Sequence, residues 1–242
     1  MNAASGKVYI TGDKHGSLRP FFGLAERGAV KKEDIIIITG DAGYVWDDEY
    51  MLKIDTLEQL CPGTIAFIDG NHENHPLLDS LEVSMWNGGR VHRIGDRVLH
   101  LMRGEIYTIY GEKYFAFGGA RTVSRYVEGV EGIDWFLREE PDEDELKTAG
   151  RVLTDHLEDI DYVITHEAPL MARDHISRVK RVDDDYILPS VLDEWYAKVS
   201  GGGRLKKWYF GHMHVDQIIT PLLRGIHNNF VEAGSETKLS WS

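Results

Sequence analysis

Cysteine is nearly missing from this 242-residue chain. Cys61 stands alone, so no intrachain disulfide can form and no cage of thiolates can hold a metal. Positive charge is scarce as well: 27 Lys and Arg against 40 Asp and Glu leave a formal net charge of −13, and no Lys/Arg run tracks the chain in the way a nucleic-acid backbone requires. Membranes and long nucleic acids are therefore not expected as partners, although a local field can oppose the global sign. No apolar run approaches the roughly 20 residues that cross a bilayer. The first strand-like segment, Val8-Tyr9-Ile10, is reached without the basic and hydrophobic stretches of a leader. Repeats are absent, and low complexity is confined to Gly201-Gly202-Gly203. A reduced, cytoplasmic compartment is the expectation; the oligomeric state is not readable.

What the chain does contain is one pattern used five times: a short apolar run that breaks abruptly into a polar motif. Val8-Tyr9-Ile10 leads into Gly12-Asp13-Lys14-His15-Gly16, and Ile35 to Ile38 into Gly40-Asp41-Ala42-Gly43. Ile65 to Ile68 leads into Gly70-Asn71-His72-Glu73, Tyr162-Val163-Ile164 into His166-Glu167, and Trp208-Tyr209-Phe210 into Gly211-His212-Met213-His214. Runs of this length, rich in Ile, Val and aromatics, predict buried central strands.

Helical patterns lie between them. Pro20, a tolerated first-turn proline, precedes an apolar face of Phe21, Phe22, Leu24 and Ala25, with Gly28 as a stop. Asp47 to Leu60, Glu140 to Leu157 and Leu188 to Val199 also suit helices. Val98–Met102, Ile106–Tyr110 and Tyr114–Phe117 read as a β-meander with tight turns. Residues 121–150 and 170–186 are charged and irregular and read as loop insertions. The fold class is α/β, with two packed sheets flanked by helices.

In open α/β sheets ligands bind beyond the carboxyl ends of the strands, where all five motifs sit. Asp13, His15, Asp41, Asn71, His166, His212 and His214 offer carboxylate, imidazole and amide donors and no sulfur, a set that suits Mn²⁺, Fe or Zn²⁺ better than Ca²⁺ or a soft metal. Side chains one residue apart in an extended chain point the same way, so Asp13/His15 and His212/His214 can each present a pair. The glycines ahead of the motifs let the backbone turn without a Cβ clash.

These blocks, D-x-H, G-D, G-N-H-E, H and G-H-x-H in that order from Asp13 to His214, resemble the calcineurin-like metallophosphoesterase superfamily. The stretch from Trp86-Asn87-Gly88-Gly89 through Phe117-Gly118-Gly119-Ala120 resembles its bacterial and phage branch, which is Ser/Thr phosphatase-like. The resemblance implies a single metallophosphoesterase domain over 1–242 in a four-layer αββα sandwich of mixed sheets. It implies one metal on Asp13, His15 and His214, a second on Asn71, His166 and His212, and Asp41 bridging both. Two divalent ions follow, Mn first, with Fe, Zn or Mg also open. A bridging hydroxide would attack phosphorus in line with the leaving oxygen, and His72 would act on that oxygen, oriented by Glu73 or Asp69.

Two departures bear on the substrate. Lys14 occupies the middle of D-x-H and is expected to point away from the metals, since alternate side chains diverge. The Gly-Asp block continues as Ala42-Gly43-Tyr44, without the phosphate-clamping arginine of the protein Ser/Thr phosphatases; Arg90, Arg121 or Arg125 are the candidate substitutes. Glu167 is either a support for His166 or a solvated carboxylate, and the histidines outside the motifs, His75, His92 and His100 among them, are expected to be structural or exposed. A phosphomonoesterase is favoured over a phosphodiesterase acting on cyclic or short nucleotides. The competing class is an interaction scaffold that keeps the fold without catalysis.

Overall fold

Four consecutive isoleucines, Ile35–Ile38, set the plan of the molecule, because a strand sends successive side chains to opposite faces. In the computed structural model, which describes residues 6–122, 129–176 and 186–241, Ile35 and Ile37 enter one core and Ile36 and Ile38 another. Both faces are covered, so the run is apolar throughout instead of alternating.

That strand, β2 (Ile35–Ile38), sits in an eight-stranded sheet with β1 (Val8–Thr11), β3 (Thr64–Phe67), β4 (Val83–Trp86), β5 (Gly89–Arg93), β6 (Val98–Leu101), β13 (Phe230–Glu232) and β14 (Lys238–Leu239), in the order β14-β13-β1-β2-β3-β6-β5-β4. The second sheet has six strands: β7 (Glu105–Ile109), β8 (Glu112–Phe117), β9 (Tyr162–Thr165), β10 (Lys207–Phe210), β11 (Gln217–Thr220) and β12 (Leu223–Gly225), in the order β11-β12-β10-β9-β8-β7. Both sheets are mixed: β1-β2-β3-β6 and β8-β9-β10-β12 run parallel, with antiparallel strands outside them.

The sheets face one another across a core that takes Ile10, Ile37, Ala66 and Leu99 from one side and Tyr114, Tyr162, Ile164 and Tyr209 from the other. Tyr114 and Tyr162 stack there, with ring centroids 4.6 Å apart. Outside the larger sheet pack α1 (Arg19–Glu26), α2 (Tyr50–Leu60) and α3 (His75–Asp79); outside the smaller, α4 (Glu143–Asp155), α5 (Leu170–Ile176) and α6 (Leu188–Gly201). The result is the αββα order of layers. Each fully buried Ile or Phe contributes roughly 1.5–3 kcal/mol by leaving water.

Three expectations change. The meander is divided between the sheets: β6 pairs with β3 and β5, the chain crosses over at Met102-Arg103-Gly104, and β7 pairs with β8. Periodicity records which faces are buried, not which strand lies alongside. The 121–150 segment holds, among its described residues, a 3₁₀ turn (Leu137–Glu139) and the start of α4, whose Asp142 and Glu145 form a reciprocal cap and leave Pro141 outside the helix. The 170–186 segment begins with α5. No helix among the described residues is long and apolar enough to cross a membrane.

Candidate metal centre

All five motifs leave the carboxyl ends of parallel strands: β1 delivers Asp13 and His15, β2 Asp41, β3 Asn71 and His72, β9 His166, and β10 His212 and His214. The first three strands belong to the larger sheet and the last two to the smaller. The site therefore straddles the seam. It is stitched there: His166 Nδ1 reaches Thr39 O at 2.7 Å, and the backbone N–H of His212 donates to Asp13 Oδ1 at 3.2 Å.

The ligand atoms fall into two groups. Those of Asp13, His15 and His214 lie within 4.8 Å of one another, and so do those of Asp41, His166 and His212. Asn71 joins the second group, its Oδ1 lying 3.1 Å from His166 Nε2. Asp41 stands between the groups, with Oδ1 3.3 Å from His166 Nε2 and Oδ2 3.9 Å from His15 Nε2.

Thr39 O can only accept, so the proton of a neutral His166 sits on Nδ1 and the Nε2 lone pair faces two further acceptors, Asp41 and Asn71. In the bare chain that conflict is relieved by a second proton. Burial opposes the charged imidazole, but Asp41 outweighs it and pushes His166 up to about 10, while burial's upward pull on Asp41 is overcome by His166, which holds the carboxyl far below its usual range. A cation would serve in place of that proton. The other group has the same character: His15 Nε2 and His214 Nε2 face each other at 3.2 Å, and the buried Asp13 Oδ2 lies 3.1 Å from His214 Nε2 without a well-directed hydrogen bond. These donors fit a pair of divalent ions.

The backbone supports this concentration of donors under strain. Among the described residues, seven other than glycine have positive φ, and four of them are His15, Asp41, His212 and His214. Each such position costs on the order of 1–3 kcal/mol and persists only where surrounding contacts hold it. For Asp41 and His15 those contacts include the N–H groups of Lys14 and His15, which both donate to Asp41 O at 2.9 and 2.8 Å. The motif glycines act by close approach as much as by turning. A Cβ on Gly40 would overlap the His166 ring, and one on Gly70 would overlap the Asp41 carboxylate, although Gly70 itself has no positive φ.

His72 stands at the rim. Its N–H donates to Asp41 Oδ1 at 2.8 Å, its ring meets His15 edge-on at 5.3 Å, and it lines an open cleft of about 310 Å³ with His15, Gly16, Gly43, Trp46 and Lys53. Neither expected orienting carboxylate is bonded to it. Glu73 is buried and accepts from Ala42 and Gly43 N–H at 2.7 and 3.2 Å, bracing the turn after Asp41; burial, then Asp41, raises it well above the usual carboxylate range. Asp69 accepts from Arg103 Nε and Nη2 at 2.9 and 2.5 Å and faces His100 Nε2 at 3.3 Å. Burial would raise Asp69, but Arg103 keeps it well below the usual range.

Arg103 also reaches Glu145 of α4 and the carbonyls of Arg138 and Glu139, so it fastens the approach to Asn71 onto the opposite layer. Arg103→Met is expected to lower the stability to urea by roughly 3–5 kcal/mol, because it leaves a buried carboxylate without its partner. An unchanged unfolding midpoint would contradict that role.

The remaining candidates take other places. Lys14 points away from the donors: its Nζ donates to Gly12 O and His227 O at 2.6 and 3.0 Å, and burial brings it down to about 8. Glu167 is buried beneath the second group, facing His212 Nε2 at 3.7 Å and accepting from Arg173 and from the Tyr186 hydroxyl at 2.7 and 2.6 Å. Arg90 is not brought to the site; it pairs with Glu105 and lines a separate cavity of about 400 Å³ with His75, His92, His100 and Arg103. Arg121 lies over the Tyr186 ring with its fork occupied by Glu140 at 2.9 and 2.8 Å. Arg125 falls outside the described residues. His75, His92 and His100 are buried structural groups, and His92 and His100 contact through Nδ1 at 3.0 Å.

A family model described as calcineurin-like phosphoesterase matches residues 6–216. No curated protein sequence matches the chain. Among solved structures, the crystal structure of TT1561 of Thermus thermophilus superposes with a TM-score of 0.51 at 11% identity, over 97% of each chain. A second crystal structure does so with a TM-score of 0.54 at 12% identity, over 97% of this chain and 99% of that one. At such identity these likenesses speak to the fold.

Proposed function

The chain belongs to the calcineurin-like phosphoesterase family, and on that premise we propose that it hydrolyses a phosphate ester at two divalent metal ions, as a phosphomonoesterase. Asp13, His15 and His214 would hold one ion, Asn71, His166 and His212 the other, with Asp41 shared. The observation that carries this is the pair of donor groups with Asp41 between them, each group bringing imidazole nitrogens and a carboxylate within 4.8 Å of one another. Nitrogen and oxygen donors without sulfur suit Mn²⁺, Fe or Zn²⁺; Mn²⁺ is the first candidate on the family resemblance, with Fe, Zn²⁺ or Mg²⁺ as alternatives. When bound, the ions supply positive charge that polarises the phosphoryl oxygens and makes water a competent nucleophile at neutral pH.

The protein's own residues do the rest. Hydrolysis breaks the bond from phosphorus to the leaving oxygen and forms one to a water oxygen, so the leaving oxygen needs a proton. His72 stands on the cleft side of the donors and would give that proton from its imidazole. Its backbone N–H bond to Asp41 ties the ring's position to the residue shared by both groups. The open cleft of about 310 Å³ leaves room for a leaving group beside His72, and the net charge of −13 disfavours a long polyanion.

The test pairs metal-depleted protein and Mn²⁺, Fe²⁺, Zn²⁺ or Mg²⁺ with aryl mono- and diesters, nucleotides and phosphopeptides. Mn²⁺-supported monoester turnover is expected. Preference for the diester would replace the monoesterase reading, and absence of both metal uptake and turnover would favour the scaffold. A narrower check uses Gly70→Ala, whose added methyl must displace the Asp41 carboxylate. Metal affinity is expected to fall roughly 10–100-fold, the range seen when support behind a ligand is disturbed; an unaltered metal titration would refute the shared role of Asp41.

A further inference from the structure

Trp46 and Lys53 line the cleft beyond His72, and neither belongs to the five motifs. If His72 protonates the leaving oxygen, the leaving group must extend past its imidazole, and the space on that side is this cleft. Its contents are chemically selective. Trp46 supplies an aromatic wall; its ring is braced by Phe136 at 6.5 Å, and its carbonyl accepts from the Asn74 side chain at 2.7 Å, on the loop that carries His72. Lys53, from the first turn of α2, is the formal cation among the lining residues.

Among the described residues Lys53 pairs with Asp47, at 3.5 Å, and both side chains are substantially exposed, so this pair is weak and yields readily to another anion. The acidic run Asp47-Asp48-Glu49 that precedes the helix opposes an incoming anion, so attraction of negative charge at this wall rests on Lys53. Two of the three sequence-expected cations are engaged elsewhere, Arg90 with Glu105 and Arg121 with Glu140.

We infer that Trp46 and Lys53 are the specificity residues of the leaving-group subsite, which takes a flat ring bearing a second acidic group. The ring stacks on Trp46 and the acid meets Lys53. This rests on the phosphomonoesterase reading above.

The test compares KM for ethyl phosphate, phenyl phosphate and 4-carboxyphenyl phosphate on Mn²⁺-loaded protein. Calorimetry runs in parallel with benzylphosphonate and 4-carboxybenzylphosphonate, which cannot be hydrolysed. The carboxylated compound is expected to bind about two- to fivefold better than its neutral parent in both series, the size of a single solvent-exposed ion pair. Lys53→Met brings that ratio to about one, Lys53→Glu inverts it, and Lys53→Arg keeps it. Trp46→Leu removes the preference for phenyl over ethyl phosphate.

A ratio that survives Lys53→Met, or a Trp46→Leu variant that weakens ethyl and phenyl esters alike, overturns the subsite. Selective phosphonate binding without turnover sinks the hydrolytic reading and leaves the subsite standing. Turnover with a ratio of one does the reverse, and failure of both binding and turnover sinks both.

Discussion

Asp41→Asn is expected to reduce metal-dependent phosphate-ester hydrolysis by at least about 10³-fold. Such ions stabilise the transition state by several kcal/mol, and each 1.36 kcal/mol is a factor of ten in rate. Several features make Asp41 the most sensitive position. It is buried, held at positive φ, and placed between the two donor groups. Its Oδ1 also receives the His72 N–H, so the same carboxylate positions the group proposed to protonate the leaving oxygen. The amide retains the shape and removes the charge. In the bare chain it also withdraws the partner that lifts His166 to about 10, so a second proton on that imidazole becomes unfavourable. Turnover should be read beside metal content and the urea midpoint. A folded variant with wild-type turnover would defeat the assignment.

His72→Asn is expected to lower kcat by about 10²–10⁴-fold, the contribution of a positioned proton donor, while metal content stays near that of the parent. The separation follows from geometry. His72 is half-buried at the rim; its ring lies edge-on to His15 and faces the cleft, and its hydrogen bond to a candidate ligand, Asp41, is made by the backbone N–H and not by the imidazole. An ester whose leaving group is a good enough anion to depart without a proton should lose much less. Stopped-assay kinetics on phenyl and 2,4-dinitrophenyl phosphate would read this directly; equal losses on both would remove His72 from the leaving-group side.

The two variants thus report on different things. Asp41→Asn should take metal and turnover together, whereas His72→Asn should take turnover alone, and most of it on the poorer leaving group. A His72→Asn protein that failed to load metal would mean that the rim and the donors are less separable than the hydrogen bonds indicate.

The five motifs were legible because each is a contiguous string whose meaning is local: an apolar strand ends, and a donor residue follows. The isoleucine run told of a strand buried on both faces, and the single cysteine and the lack of basic runs bounded the chemistry. Local strings could not say that β6 and β7 lie in different sheets, since a buried face looks alike whichever strand adjoins it. Nor could they distinguish the carboxylates of Asp69 and Glu73, which sit beside the His72 motif in sequence but bond to Arg103 and to backbone N–H groups. Arg90 and Arg121 were open for the same reason: a long cation goes to whichever acceptor the fold brings near, and here those are Glu105 and Glu140. Lys14 turns away from the donors as expected, and only its carbonyl partners were not legible. Trp46 and Lys53 carried no signal, because a cleft exists only once separate segments meet.

The sequence alone therefore determined the donor chemistry, the order of the motifs and the burial of their strands, all properties of short stretches of chain. Tertiary structure decided the convergence of five strand ends from two sheets, the left-handed backbone at His15, Asp41, His212 and His214, and the partner of each charge. Those depend on residues as far apart as Asp13 and His212, where the backbone of one sheet meets a carboxylate of the other.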